Sequence, residues 1–175
     1  LPTELERTIF LLVPRKTAHA CLRVARRVQV WLQPSLYHVV CLPSEHNARS
    51  FVESLEHRPD FALSTVEALC LNVCISPKTA ASVLALCSAV KSLNMRFPCH
   101  LIGTNPILAP LQLLSCVEML HVDLSSIFNN ARIHLPDVSI FHRVTHLHLT
   151  NAWATWQPAA SSIGLEELEQ ITHIS

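Results

Sequence analysis

Eleven histidines and seven cysteines in 175 residues are the side chains of this chain best suited to bind metal, move protons or act as nucleophiles near neutral pH. Four of the histidines recur in a short pattern: His121 in Met-Leu-His-Val, His146 and His148 in Thr-His-Leu-His-Leu, and His173 in Thr-His-Ile. Three kinds of behaviour fit such a cluster. Imidazoles can bind zinc, which takes about four ligands at about 2.0–2.1 Å. They can form a pH-sensitive surface, because neighbouring rings repel once protonated. They can also be ordinary polar residues on a binding face, where Thr-His simply recurs. No carboxylate falls near enough in the pattern to orient a metal-bound ring, so neither a metal nor another cofactor is expected.

The cysteines stand at positions 21, 41, 70, 74, 87, 99 and 116, with no Cys-x-x-Cys pair. Most lie inside apolar runs, which reads as reduced thiols in a core or lining a groove and points to the cytoplasm or nucleus. Cys41 and Cys70 hold equivalent places in the repeat described below, where a thiol pair is conceivable. Nothing sets a base and an orienting group beside any one cysteine, so no catalytic residue and no enzyme activity are expected. With two glycines, Gly103 and Gly164, the chain cannot write a G-x-G-x-x-G fingerprint or a G-x-S-x-G elbow, and neither glycine precedes the lysine of a phosphate loop.

Charge excludes further classes. Lys+Arg and Asp+Glu number 13 each, and residues 1–60 carry eight basic and six acidic groups against five and seven in the remainder. That asymmetry is too small for a nucleic-acid footprint. Half the residues are apolar and mean hydropathy is +0.32, so the chain buries a real core and is not disordered in bulk. Residues 97–117 lack charge, but Pro98, Pro106 and Pro110 interrupt them, so no membrane span is expected. No secretory signal pattern is present.

The elements that must position these groups follow from a repeat. Val66-Glu-Ala-Leu69-Cys-Leu71, Val90-Lys-Ser-Leu93-Asn-Met95, Val117-Glu-Met-Leu120-His-Val122, Val144-Thr-His-Leu147-His-Leu149 and Ile171-Thr-His-Ile174-Ser start 24, 27, 27 and 27 residues apart. A weaker copy, Tyr37-His-Val-Val40-Cys-Leu42, lies 29 residues before the first. Each ends in strand-like alternation, and helix signals follow: His46–His57, Ser76-Pro77 to about Ala89, Asn105-Pro106 to about Leu114, and Ser162–Gln170. Residues 124–143 offer only turns or one short turn of helix at Ser125–Asn129. The pattern resembles irregular leucine-rich repeats. That resemblance implies a curved solenoid with a parallel sheet inside and helices outside. The asparagine ladder of regular repeats is missing, its places taken by Cys74, Pro98, Ser125 and Trp153. The chain stops within a strand at Ser175, so the array is expected to continue further.

If the first, fourth and sixth positions face the core, the third and fifth face outward. That open face reads Val39 and Cys41, Ala68 and Cys70, Ser92 and Asn94, Met119 and His121, His146 and His148, then His173 and Ser175. His121 and His148 become cross-strand neighbours about 5 Å apart, as do His146 and His173. Met119, Trp153 and Trp156 read as packing or contact residues.

The first forty residues are helical. Thr3-Glu4-Leu5-Glu6 has the form of a capping box, opening a helix to about Val13 with Leu5, Ile9, Leu12 and Val13 as its apolar face. A second helix is expected from Thr17 through Cys21, Leu22, Val24 and Val28, with Trp31, Leu32 and Leu36 after it and a break at Pro34. Arg23, Arg26 and Arg27 read as its solvated face. Leu1-Pro2-x-Glu4-Leu5, Ile9-Phe10, Leu22-x-Val24-Ala25-Arg26-Arg27 and Leu36-Tyr37 together resemble the F-box, over residues 1–42. Val28 stands where that family usually has a bulky aromatic. The whole is similar to fungal-type F-box proteins with irregular leucine-rich repeats.

The resemblance implies an α/β chain with a three-helix F-box-like module at 1–42 and a leucine-rich-repeat-like solenoid at 43–175. It implies docking to a Skp-type adaptor of a cullin–RING ubiquitin ligase through Leu1, Pro2, Leu5, Ile9, Phe10, Val24 and Val28. A protein target would then be held on Ser92, Asn94, Met119, His121, His146, His148 and His173. Two alternatives stand beside it. The helices could merely cap a repeat scaffold, burying Leu5, Ile9 and Phe10, or the histidine face could make this a metal- or pH-responsive binding protein.

Overall fold

In a computed structural model, which describes residues 1–96, 105–128, 134–150 and 163–175, the repeated segments become one parallel sheet. Its strands are β1 (Val39–Leu42), β2 (Ala68–Leu71), β3 (Ser92–Met95), β4 (Met119–Val122), β5 (His146–Leu149) and β6 (His173–Ile174), paired in chain order. Register follows the repeat without a slip: Cys41, Cys70, Asn94, His121 and His148 align in one row, and Val39, Ala68, Ser92, Met119, His146 and His173 in the other. The intervening Leu69, Leu71, Leu93, Met95, Leu120 and Val122 are buried.

One backbone device repeats between all six strands. The carbonyl just before each strand accepts two N–H groups from the next: His38 from Glu67 and Ala68, Glu67 from Lys91 and Ser92, Lys91 from Glu118 and Met119. Glu118 does the same for Thr145 and His146, and Thr145 for Thr172 and His173. Every strand therefore starts level with its neighbour.

The connecting helices pack on the apolar face. They are α4 (Glu45–Leu55), α5 (Pro59–Thr65), α6 (Pro77–Leu86), α7 (Leu108–Gln112) and α8 (Leu124–Phe128), and their Phe51, Leu55, Ala62, Leu84, Leu111 and Ile127 join the strand residues in one continuous core. Ser44 and Ser76 cap α4 and α6, each accepting the N–H three residues on. Glu45 ties these two helix starts together: its carboxylate accepts from the Thr79 hydroxyl at 2.6 Å, the Ser76 N–H at 2.7 Å and the Arg49 guanidinium at 2.9 Å. Those bonds, the Thr79 hydroxyl first and then the Ser76 N–H, hold its pKa down at about 2. Farther along, only a short 3-10 turn at Leu165–Glu167 forms among residues 163–170, where a Ser162–Gln170 helix was expected. Two more 3-10 turns, Leu135–Asp137 and Ser139–His142, occupy the stretch read as turns. Pro98, Cys99, Asn129, Trp153, Trp156 and Ser162 lie outside the described residues.

Residues 1–37 form α1 (Thr3–Leu11), α2 (Arg15–Cys21) and α3 (Arg26–Tyr37), with a separate small core of Ala18, Val28, Leu32 and Leu36. Three expectations change here. Pro2, not Thr3, precedes α1, no side chain caps it, and Glu6 pairs with Arg27 at 2.9 Å instead of reaching back. The second helix ends at Cys21 and a third opens at Arg26, so Val24 lies in the turn between them. Pro34 does not break α3 but sits exposed inside it. An interior proline costs about 3 kcal/mol or more, but Val28, Leu32 and Leu36 recur every fourth residue on the opposite side. Burying each stabilises by about 1.5–3 kcal/mol, which outweighs the lost bond.

Tyr37 joins the two cores, stacking on Phe51 at 6.2 Å and meeting Phe61 edge-on at 5.4 Å. Arg15 donates to the carbonyls of Leu36 and Val39, so the module also covers part of the sheet's first edge. Residues 39–42 belong with the sheet: Val40 and Leu42 lie in the larger core, although 1–42 reads as one module in the sequence.

Candidate functional site: an open helix face and an open sheet face

Two surfaces carry the residues singled out by sequence. The first is the outer side of α1 and the turn after α2. No residue of α1 is buried. Leu1, Leu5, Ile9 and Val24 are 84%, 54%, 56% and 65% exposed, and Pro2 is exposed beside them. Phe10 is half-buried against the module's core. Val28 departs from expectation: it is 0% exposed, packed with Ala18, Leu32 and Leu36, and so supports the surface from within instead of lying on it. Its spacing of four to Leu32 was the available signal. Leu12, read from sequence as part of α1's apolar face but not as a docking residue, is exposed too, and so is Val30 of α3, which the sequence reading did not single out. Three helices this short have too little interior to cover every apolar side chain.

The second surface is the outward side of the sheet. Ser92, Asn94, Met119, His121, His146, His148 and His173 all lie on it, exposed or half-buried, as alternation predicts. The rings of His146 and His173 stack at 4.4 Å with planes 5° apart, and those of His121 and His148 sit 4.8 Å apart. The sheet thus brings the four histidines together as two pairs on adjoining rows. His148 Nδ1 is 2.6 Å from Ser175 Oγ. Burial, then the charges of His148 and Arg96, push the His121 pKa down from its ordinary 6.5. Arg96 was not singled out by sequence; it follows the third strand-forming segment, where no pattern marks it. Thr145 and Thr172, which bond His146 and His173, carried a signal in the repeated Thr-His pair.

Among the described residues no group of three or more His, Cys, Asp or Glu side chains converges as a metal site. The cysteines divide between core and surface. Cys87 is buried, and burial pushes its thiol up to about 12, whereas Cys41, Cys74 and Cys116 are exposed. Strand alternation turns Cys41 outward, whereas Cys74 and Cys116 lie in the connections after β2 and before β4. Cys41 and Cys70 are register partners and both remain free thiols; burial, then the nearby Cys41, raises the Cys70 pKa. Among the described residues no helix is long and apolar enough to cross a membrane.

No family model, curated protein sequence or solved structure matches the chain.

Proposed function

We propose that this chain is a substrate-recognition subunit of a Skp–cullin–F-box type ubiquitin ligase. In this reading the apolar face of α1 holds the Skp-type adaptor, the sheet's open face holds a protein target, and the chain itself performs no catalysis. The observation that carries it is the exposure of Leu5 and Ile9 on a module that has its own core. Helices that served only as a cap would turn those side chains inward. Here α3, through Tyr37, faces the sheet, while α1 presents an apolar surface of the kind that fits a partner's groove.

The test is co-expression with a Skp-type adaptor and size-exclusion chromatography, beside a Leu5→Asp/Ile9→Asp variant. Both side chains are exposed, so the variant's stability is expected to fall by less than about 0.5 kcal/mol per site. Co-elution of the wild type that vanishes in the folded variant is the expected result. Folded wild-type protein that elutes alone overturns the proposal.

A further inference from the structure

We infer that the histidine end of the open sheet face binds an extended, carboxylate-rich peptide segment and takes up protons as it does so. The inference rests on the proposed reading of this face as the target side, and it names the target's chemistry.

Each ring of the stacked pair has a threonine hydroxyl at its Nδ1. Thr145 Oγ1 lies 3.1 Å from the Glu118 carbonyl oxygen and 2.9 Å from His146 Nδ1. One repeat on, Thr172 Oγ1 lies 3.1 Å from the Thr145 carbonyl oxygen and 2.9 Å from His173 Nδ1. A protonated ring donates from both nitrogens, so in that state Nδ1–H bonds the threonine oxygen, the threonine hydroxyl donates to the carbonyl, and Nε2–H is left to donate to a ligand.

The pairing supplies the coupling. Two rings stacked at 4.4 Å cannot both take a proton without bringing like charges together. An anion laid across them removes that repulsion, so binding and protonation strengthen one another. None of the outward positions on the six strands is Asp or Glu. Arg96, the residue after β3, acts on His121, and Asp123, at the equivalent place after β4, accepts from the Ser125 N–H and hydroxyl. On β4 the register neighbour of His146 is Met119, while His121 and His148 lie together in the adjoining row with Ser175, which bonds His148. Glu118, the nearest acid before β4, shares a groove with Lys91 and Arg143 at the strands' leading edge. His146 and His148 stand about 7 Å apart along one strand, the distance between alternate side chains of an extended peptide. That match favours a peptide over a single small anion.

The experiment is fluorescence anisotropy of the full chain with a labelled alternating Glu-Ser peptide, in EDTA, between about pH 7.5 and about pH 6. Affinity is expected to rise roughly tenfold per pH unit for each proton taken up. Calorimetry in buffers of different ionisation enthalpy should show that uptake directly. His146→Gln/His173→Gln should abolish the pH dependence, and His46→Gln/His57→Gln, on the helical side, should leave it. Affinity that is flat with pH, an unchanged slope in the His146/His173 variant, equal binding of a Lys-Ser peptide, or displacement by free glutamate at equal carboxylate concentration would overturn the inference. Adaptor co-elution is read separately, so either proposal can fail while the other stands.

Discussion

The helical module and the sheet region are built from similarly apolar sequence, yet they bury it in opposite ways. The sheet region stacks repeat upon repeat, so the inward residues of β2 to β5 are flanked by a strand on either side and one core runs from Val40 to Leu168, while Ile174 on the last strand stays 57% exposed. The module has no repeat to lean on. Its core is four residues, and α1 buries nothing completely. Apolar composition alone therefore does not say whether a side chain is structural or available; the number of elements that can converge on it does.

The largest expected effect would separate the two regions. Leu93→Ala, in the middle of the sheet at 0% exposure, should cost about 2–5 kcal/mol and lower the stability of the whole repeat region. Leu32→Ala should cost a similar amount but open only residues 1–37. Hydrogen exchange read by mass spectrometry would show this, and protection lost equally over β2–β5 in the Leu32 variant would break the distinction. A smaller effect tests the far end of the sheet region. Gly164 has φ +71°, and a Cβ there would stand 2.7 Å from His134 Nε2 and 2.9 Å from Pro136 Cδ. Gly164→Ala should therefore cost at least about 1–2 kcal/mol from the backbone alone, read as a lower Tm. The smallest concerns the tie between neighbouring repeats. The Glu45 carboxylate is held at about 2 against an ordinary 4.5, so its contribution is present above pH 4.5 and disappears as pH falls through about 2. Wild type and Glu45→Gln should differ in denaturant midpoint near neutral pH and converge on acidification across that window. Curves that stay parallel would remove Glu45 as a link between α4 and α6.

The same contrast explains what could be read from sequence. Strand positions and register were legible, because a period-2 alternation repeated at nearly constant spacing leaves one consistent way to pair six strands. The histidine pairs followed from that register. The helical module was less legible. Thr3 and Glu6 have the residue types of a capping box, but Arg27, distant in sequence, claims Glu6. Pro34 is a strong local breaker, and only the packing of Val28, Leu32 and Leu36 overrides it. α5 gave no clear signal in a stretch where Arg58, stacked on Phe61 at 4.2 Å, helps seat a helix of seven residues. Local pattern predicts well where each element repeats its neighbour, and poorly where a few unique contacts decide.

The shared carbonyls at the strand starts also constrain how such a chain can change length. Because each strand is hung from the residue before its neighbour, an insertion within a strand would turn its outward residues inward and split both rows of the face. An insertion in a connecting segment would not. Spacings of 24, 27 and 29 residues between repeats are already accommodated without any shift in register. The outer layer can thus be lengthened or rebuilt while the order of side chains across the open face stays the same.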